Sequence, residues 1–205
     1  MYSGVYSIIK RGIDIVGSII ALVIFSPFCV YIMYKIKRED GGPILYKQER
    51  IGLDGRPFMM WKFRSMVVGA HAMKDKLLED NESDGPTFKI KDDPRITKIG
   101  QWIRKHSLDE IPQFFNILKG DMSLVGPRPA LPEEVEAYST HDRERLRVVP
   151  GLTGLWQVSG RSNLTYEEMI DLDLEYVKRH GVLTDLKILL MTLWLVIDTK
   201  HSGAY

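Results

Sequence analysis

Two adjacent carboxylates, Asp109 and Glu110, lie in the segment HSLDEIPQFFN and have the types and spacing to perform chemistry. The segment also fits a helix start, because Ser107 and Glu110 have the S-x-x-E spacing of a capping box. Pro112 disfavours that register, since residue 112 would have to donate a helical hydrogen bond that proline lacks. An N-cap at Asp109 avoids the conflict and places a carboxylate where the helix dipole favours anions. This local pattern leaves both a cap and a catalyst open.

Five cations from several segments could surround this carboxylate pair: Lys62, Arg64, Arg95, Arg104 and Arg128. Arg128 stands in GPRP, where the two prolines fix φ and stiffen the loop. Lys62 and Arg64 alternate along a predicted strand and therefore share one face, which could also be a solvated outer face. Cations beside paired carboxylates suit a phosphate-bearing substrate and a divalent metal ion, which offsets the repulsion between anions.

Composition limits the classes of protein that need to be considered. A chain of 205 residues is long enough for one domain with a sizeable core. Its net charge of +1 argues against a general polyanion binder, so we expect no nucleic-acid partner. Cys29 is the one cysteine, which excludes an internal disulfide and fits a reducing compartment.

An uncharged apolar run, IVGSIIALVIFSPFCVYIMY, covers residues 15–34. As a helix it is long enough to cross the roughly 30 Å hydrocarbon core of a bilayer. Ser26 and Pro27 interrupt it, and the proline should kink the helix because it removes a hydrogen bond. Basic residues flank the run on both sides, whereas the positive-inside rule expects an asymmetry. A spanning helix and a helix that bends at Ser26-Pro27 and returns to the same side are equally compatible with these residues.

The remaining sequence predicts an α+β domain that is mostly helical. Leu53-Asp54-Gly55, between two apolar-rich runs, predicts a β-hairpin. The uncharged part of residues 183–197 is too short to span a membrane and predicts an interfacial or core helix. The Gly-rich stretch 148–161 predicts a short hairpin or loop. Further helices are predicted over residues 67–82, 96–107 and 165–180, the last capped by Thr165.

Four long segments carry specific motifs: KRGIDIVGS, WKFRSM, DPRITKIGQWIRKHSLDEIPQFFNILKGDMSLVGPRP and PGLTGLWQVSGR. They resemble the bacterial sugar transferases, the small monotopic phosphoglycosyl transferases, and the resemblance covers nearly the whole chain. It implies a re-entrant membrane-anchoring helix (helix-break-helix) over residues 1–38, broken at Ser26 and Pro27. It also implies a cytoplasmic catalytic domain over residues 39–205 with interfacial amphipathic helices. The chain looks like the minimal catalytic form of this family.

The resemblance also implies an activity. The family transfers a sugar-1-phosphate from a UDP-sugar to polyprenyl (undecaprenyl) phosphate and releases UMP, as the first membrane step of glycoconjugate or exopolysaccharide synthesis. Asp109 would be the covalent nucleophile in a ping-pong reaction, and Asp109 with Glu110 would hold Mg²⁺. Lys62, Arg64, Arg104 and Arg128 match family positions near the phosphates or the nucleotide, and Arg95 joins them from the pattern of cations.

The family resemblance favours a hexose donor such as galactose or glucose. It places the protein on the lipid bilayer at the cytoplasmic face of the bacterial inner membrane, and leaves homo-oligomerisation open. Two other functions compete with the transferase. A hydrolase of nucleotide-sugar diphosphates would use the same site with water as acceptor, and a membrane scaffold would use Asp109 only as a helix cap.

Overall fold

The computed structural model describes residues 4–73, 77, 90, 93–160 and 163–197, and this part of the chain is mostly helical with two small sheets. Its α-helices are α1 (Gly4–Asp40), α2 (Lys98–Lys105), α3 (Gln113–Lys119), α4 (Pro132–Glu136), α5 (Leu155–Ser159), α6 (Tyr166–Arg179) and α7 (Val182–Ile197). Its strands are β1 (Leu45–Ile51), β2 (Pro57–Phe63), β3 (Ser123–Val125) and β4 (Gly151–Thr153). Short 3₁₀ turns lie at Leu53–Gly55, Ala70–Met73, Leu108–Glu110 and Asp142–Arg147.

The long apolar helix α1 contains 37 residues. Among the described helices it is the one that has the length and composition to cross a membrane. The helix is continuous through Pro27, so the predicted helix-break-helix is not visible as two separate helices. Ser26 Oγ donates to the carbonyl of Val23 at 2.8 Å, as expected where a hydroxyl compensates a helix disturbed by proline. The re-entrant topology stays a prediction.

The first half of α1 is anchored to the globular part by buried polar contacts. Lys10 Nζ donates to Asp185 Oδ2 at 2.8 Å and to the carbonyl of Val125 at 2.9 Å. Asp14 Oδ1 accepts a hydrogen bond of 2.8 Å from the backbone N–H of Leu124. Because these groups are buried, each charge has to be paired, and the pairs fix α1 to β3 and α7.

The second half of α1 packs against the same globular part through apolar side chains. Ile32 and Ile36 are fully buried in a cluster with Phe63, Ile103 and Ile111. Between the two anchored regions, one side of α1 exposes large apolar residues: Ile19, Ile20, Val23, Ile24, Phe28 and Val30. Both ends of the apolar run therefore lie against one body.

The first sheet is the hairpin of β1 and β2, which pair antiparallel from Leu45 opposite Phe63 to Ile51 opposite Pro57. The connection between the strands is a 3₁₀ turn with Asp54 in the left-handed region at φ 53°. Side chains on opposite faces of β2 enter different clusters: Met60 packs with the core around α3, whereas Phe63 packs against α1. The hairpin thus lies between the two halves of the core.

The second sheet corrects the interpretation of the Gly-rich stretch 148–161. This stretch forms neither a hairpin nor a simple loop, because β4 pairs parallel with β3 and continues into α5. The two backbones approach so closely that a Cβ on Gly151 would lie 2.0 Å from the N of Gly126. Glycine at these positions is therefore required by packing.

The predicted helices have different outcomes. α6 begins with the predicted capping box, because Thr165 Oγ1 accepts from the N–H of Glu168 and the Glu168 carboxylate accepts from the N–H of Thr165. α2 and α7 also lie where helices were predicted. Of the helix predicted over residues 67–82, the described residues contain the 3₁₀ turn Ala70–Met73, and residues 74–76 and 78–82 lie outside the described part.

Candidate active site

The carboxylate pair lies in the 3₁₀ turn Leu108–Glu110 and not at the first position of a helix. Ser107, at φ 54°, makes no side-chain capping bond, and α3 begins only at Gln113 with Pro112 as its N-cap residue. The predicted N-cap at Asp109 is therefore wrong, and the capping box at Ser107, which Pro112 disfavoured, does not form. Proline fits at a helix start because its missing N–H is not needed there. Asp109 is consequently not a cap of α3.

One lysine reaches both carboxylates. Lys62 Nζ lies 2.8 Å from Glu110 Oε1 and 4.0 Å from Asp109 Oδ2. Asp109 is buried, with 8 % of its surface exposed, whereas Glu110 is half-buried. The structure therefore brings together three residues that the sequence predicted for the site, from β2 and from the turn before α3.

The two carboxyl groups have opposite pKa shifts. Burial raises the pKa of Asp109 to about 6; Lys62 and Arg104 oppose this shift, and the charge of Glu110 adds to it. Burial also acts to raise the pKa of Glu110, but Lys62, Arg128 and Gln113 outweigh it and lower that pKa. Like charges at close range cannot both be freely ionised, so the lysine stabilises the second negative charge.

A hydrogen-bonded asparagine fixes the spacing between Lys62 and the carboxylate pair of Asp109 and Glu110, which we call the dyad. Asn116 of α3 accepts a hydrogen bond of 3.1 Å from the backbone N–H of Trp61 and donates one of 2.8 Å to the carbonyl of Met59. These bonds join β2, which carries Lys62, to the helix that follows the dyad. Arg11 of α1 caps the other end of α3 by donating to the carbonyls of Ile117 at 2.5 Å and Leu118 at 2.7 Å.

Arg104 and Arg128 complete the cationic surroundings. Arg104 Nε donates to Ser65 Oγ at 2.8 Å, and its charge helps to hold down the pKa of Asp109. The side chain of Arg128 is exposed, and its charge contributes to the low pKa of Glu110. The positive charges of two arginines from distant segments thus act on the carboxylate pair, in addition to the charge of Lys62 on β2.

Arg64 and Arg95 are held in ion pairs elsewhere. Arg64 binds both oxygens of Asp40 and donates to the carbonyl of Pro43 at 2.6 Å, which ties the end of α1 to β2. Arg95 is buried with Asp93, Nη2 to Oδ2 at 2.6 Å. The sequence could not reveal these partners, because the pattern of cations along the chain also allowed each arginine to lie beside the dyad. Contact of Arg64 and Arg95 with substrate stays a prediction.

Gln113 is a residue of the site that the sequence reasoning missed. It is 3 % exposed, lies one turn beyond the dyad, and contributes to the low pKa of Glu110. Its Nε2 is buried and makes no hydrogen bond of ordinary geometry within the described residues. Its position three residues after Glu110, at helical spacing, was the available signal.

The carboxylates of the site fit a magnesium ion whose remaining ligands are water and substrate oxygens. In the described ranges no group of three or more His, Cys, Asp or Glu side chains converges, so the chain offers the two carboxylates of Asp109 and Glu110. Mg²⁺ is commonly held by one or two carboxylates together with water and substrate phosphates. The carboxylate oxygens not bonded to Lys62 are the candidate ligands.

These features define a membrane-associated protein with a carboxylate and cation site suited to an anionic substrate. The chain belongs to the bacterial sugar transferase family, whose model matches residues 5–199.

Several curated relatives are similar along almost all of this chain. It is 48 % identical over 197 residues to the galactosyl transferase CpsE of Streptococcus agalactiae serotype III, covering 96 % of this chain and 44 % of the relative. It is 46 % identical over 204 residues to the undecaprenyl-phosphate galactose phosphotransferase of Salmonella typhimurium, covering 96 % of this chain and 42 % of the relative. It is 41 % identical over 197 residues to the exopolysaccharide production protein ExoY of Sinorhizobium fredii, covering 94 % of this chain and 87 % of the relative. The chain spans less than half the length of the first two relatives.

Proposed function

We propose that this protein transfers a sugar-1-phosphate from a UDP-hexose to polyprenyl phosphate and releases UMP. Relatives that are named as a galactosyl transferase, an undecaprenyl-phosphate galactose phosphotransferase and a UDP-glucose:undecaprenyl-phosphate glucose-1-phosphate transferase support the reaction class and a hexose, galactose or glucose, as the sugar. The relative named for exopolysaccharide production supports a role in polysaccharide synthesis. The observation that carries the proposal is a buried Asp109 beside Lys62 in a site with exposed Arg128.

Asp109 is the proposed nucleophile. With a pKa of about 6 it is mostly ionised at neutral pH, and its burial removes the water shell that a nucleophile must lose before attack. A carboxylate oxygen attacks the sugar-bearing phosphorus, the phosphoanhydride bond breaks, and UMP leaves with the bonding electron pair. The sugar-1-phosphate is then held on Asp109 as an acyl phosphate.

In the second step an oxygen of polyprenyl phosphate attacks the same phosphorus. The bond to Asp109 breaks, the carboxylate is regenerated, and the polyprenyl diphosphate sugar leaves. The covalent intermediate divides one transfer into two steps, which allows the water-soluble donor and the lipid acceptor to use the site in turn. Lys62, Arg104 and Arg128 offset the negative charge of the phosphates in both steps.

Mg²⁺ is proposed as the cofactor, held by Asp109 and Glu110. When bound, it supplies positive charge that permits two anions to approach each other. Glu110 is suited to this support role because its low pKa keeps it ionised, while its contact with Lys62 fixes the orientation of the carboxylate.

We also propose that α1 re-enters the membrane from the cytoplasmic side and does not span it. Support comes from its contacts, because Lys10 near one end and Ile36 near the other are both buried against the same globular part. A helix that crossed the bilayer would carry one of these ends to the opposite side. The basic residues on both flanks agree with a cytoplasmic location for both ends.

The decisive experiment separates the two half-reactions. The purified protein is incubated with Mg²⁺ and UDP-galactose or UDP-glucose, with and without polyprenyl phosphate, while UMP release and intact mass are measured. We expect a burst of UMP equal to the enzyme present and a mass increase of one hexose phosphate without acceptor, then turnover when the lipid is added. Asp109→Asn should abolish both signals while leaving the melting temperature close to that of the wild type.

Each competing function has a different outcome. A hydrolase would release many equivalents of UMP without lipid, and a scaffold would release none under any condition. An active Asp109→Asn variant would overturn the role of Asp109 as nucleophile, even if the transfer itself were observed.

A further inference from the structure

The loop that carries Arg128 is held through its backbone from several directions. The four successive carbonyl oxygens from residue 127 to residue 130 each accept a hydrogen bond from outside the loop. The pairs are Gly151 N to Pro127 O at 2.8 Å, Arg145 Nη2 to Arg128 O at 3.2 Å, Arg50 Nη1 to Pro129 O at 2.9 Å and Ile51 N to Ala130 O at 2.9 Å. The exposed Arg128 side chain therefore projects from a fixed backbone.

The contact to Arg128 itself comes from a buried ion pair. Arg145, in the 3₁₀ turn Asp142–Arg147, is 8 % exposed and binds the carboxylate of Asp173, which is fully buried on α6. Arg145 Nη1 also donates to the hydroxyl of Tyr138 at 2.5 Å. One guanidinium thus joins α6, the segment after α4 and the peptide of Arg128.

Charge explains why Asp173 is needed for this arrangement. A buried guanidinium without a counter-ion is strongly unfavourable, so removal of Asp173 should displace Arg145 or bring water to it. Either change weakens the bond from Arg145 to the Arg128 carbonyl. Backbone acceptors are fixed by the fold, so the bond orients the peptide plane of Arg128 and with it the start of the side chain.

We propose that the Asp173–Arg145 pair is a positioning device that sets the direction of Arg128 for contact with the phosphates of the donor. This inference rests on the proposed function, in which Arg128 binds the donor. Neither Asp173 nor Arg145 contacts substrate; both act through the backbone of Arg128. The pair therefore affects affinity for the UDP-sugar more than the later attack by the lipid.

A purely structural role for the ion pair makes a different prediction. It would lower the melting temperature and the amount of active enzyme, so kcat would fall for the whole reaction. The effect would be the same whether or not residue 128 is an arginine. Coupling between positions 173 and 128 separates the two roles, because only positioning requires the Arg128 side chain.

The test is a double-mutant cycle of wild type, Asp173→Asn, Arg128→Ala and the double variant. Donor KM and kcat are measured from UMP release with saturating polyprenyl phosphate. We expect Asp173→Asn to raise the donor KM about tenfold, which is within the range for coupled neighbours. In the Arg128→Ala background the same substitution should change KM by less than about twofold. Arg147→Ala, which removes a surface ion pair with Glu144 in the same turn, is the matched control and should have wild-type KM.

If Asp173→Asn does not fold, Arg145→Lys replaces it in the cycle, because lysine keeps the buried positive charge but cannot form the same fork of hydrogen bonds. It should raise donor KM only when Arg128 is present. Equal effects of either variant in both backgrounds would overturn this inference and leave the transferase proposal intact. A wild-type KM for Arg128→Ala would overturn the donor-binding role of Arg128 and with it the inference.

Discussion

Lys62 binds Glu110 more closely than Asp109, although Asp109 is the more buried carboxylate. The distances from Lys62 Nζ are 2.8 Å to Glu110 Oε1 and 4.0 Å to Asp109 Oδ2. The lysine therefore neutralises the supporting carboxylate directly, while it affects the proposed nucleophile through space. Asp109 keeps oxygens that are not engaged by the lysine, as attack on phosphorus requires.

The first prediction concerns the pH dependence of activity. Lys62→Met removes a charge that holds down the pKa of Asp109, so this pKa should rise above about 6. The acidic limb of kcat/KM should move to higher pH by roughly one unit, as is typical for loss of a nearby opposite charge. Lys47→Met, on β1 with its ammonium over the ring of Trp61, is the control and should leave the limb in place. An unchanged limb in Lys62→Met would show that the lysine does not affect the nucleophile.

The second prediction separates activity from stability at Gln113. Its Nε2 is buried without an ordinary hydrogen bond among the described residues, so Gln113→Met should cost little stability or even increase it. Turnover should nevertheless fall roughly tenfold, because the amide no longer helps to lower the pKa of Glu110 and so to keep that carboxylate ionised.

Asn116→Leu, in the same helix, is the matched contrast for Gln113. It removes a side chain with hydrogen bonds to Trp61 and Met59 and should lower the free energy of unfolding by about 1–3 kcal/mol. Thermal unfolding and UMP release are measured on both variants. Normal turnover in Gln113→Met would show that its amide only fills space.

The third prediction concerns the ion pair at the end of α1. The hydrogen bonds from Arg64 lower the pKa of Asp40 from 3.8 to about 2. The pair therefore stabilises the folded state above pH 3.8, and this contribution is lost as the pH falls towards 2. Asp40→Asn should melt earlier than the wild type near neutral pH, and the difference should shrink on acidification through this range.

Glu175→Gln is the control for the Asp40 prediction, because it removes an exposed pair with Arg179 in α6. Such surface pairs contribute little, so its melting temperature should stay near that of the wild type at every pH. A difference between Asp40→Asn and wild type that persists unchanged at the lowest pH would contradict the assignment.

The fourth prediction tests the topology of α1. Single cysteines replace Val5 and Pro43, which lie near the two ends of the helix, in a Cys29→Ser background. If the helix re-enters, a membrane-impermeant thiol reagent added to intact cells should label neither position, and both should label after lysis. Pro27→Ala should favour a spanning helix, because it restores the hydrogen-bond donor that proline lacks. If one end were labelled from outside in the protein that keeps Pro27, the helix would span the membrane.

Local features of the fold were predictable because they depend on neighbours in the chain. The capping box at Thr165 and Glu168 follows from residue types three positions apart, and the structure confirms it. The apolar run of α1 and the hairpin signal at Asp54-Gly55 likewise depend on residues that are close together in the sequence. The motif around Asp109 was specific enough to identify the family before any contact was known.

The candidate dyad, the stiff arginine loop and the family can be identified from the amino-acid sequence, since each is carried by contiguous residues. Which cation contacts the dyad depends on partners that are distant in the chain, and this became known from the three-dimensional packing. Arg64 is satisfied by Asp40, and Lys62, two residues earlier, reaches Glu110. The pairing of Arg145 with Asp173 arises in the same way. Periodicity states which face a residue occupies, but the charge opposite that face is set by packing.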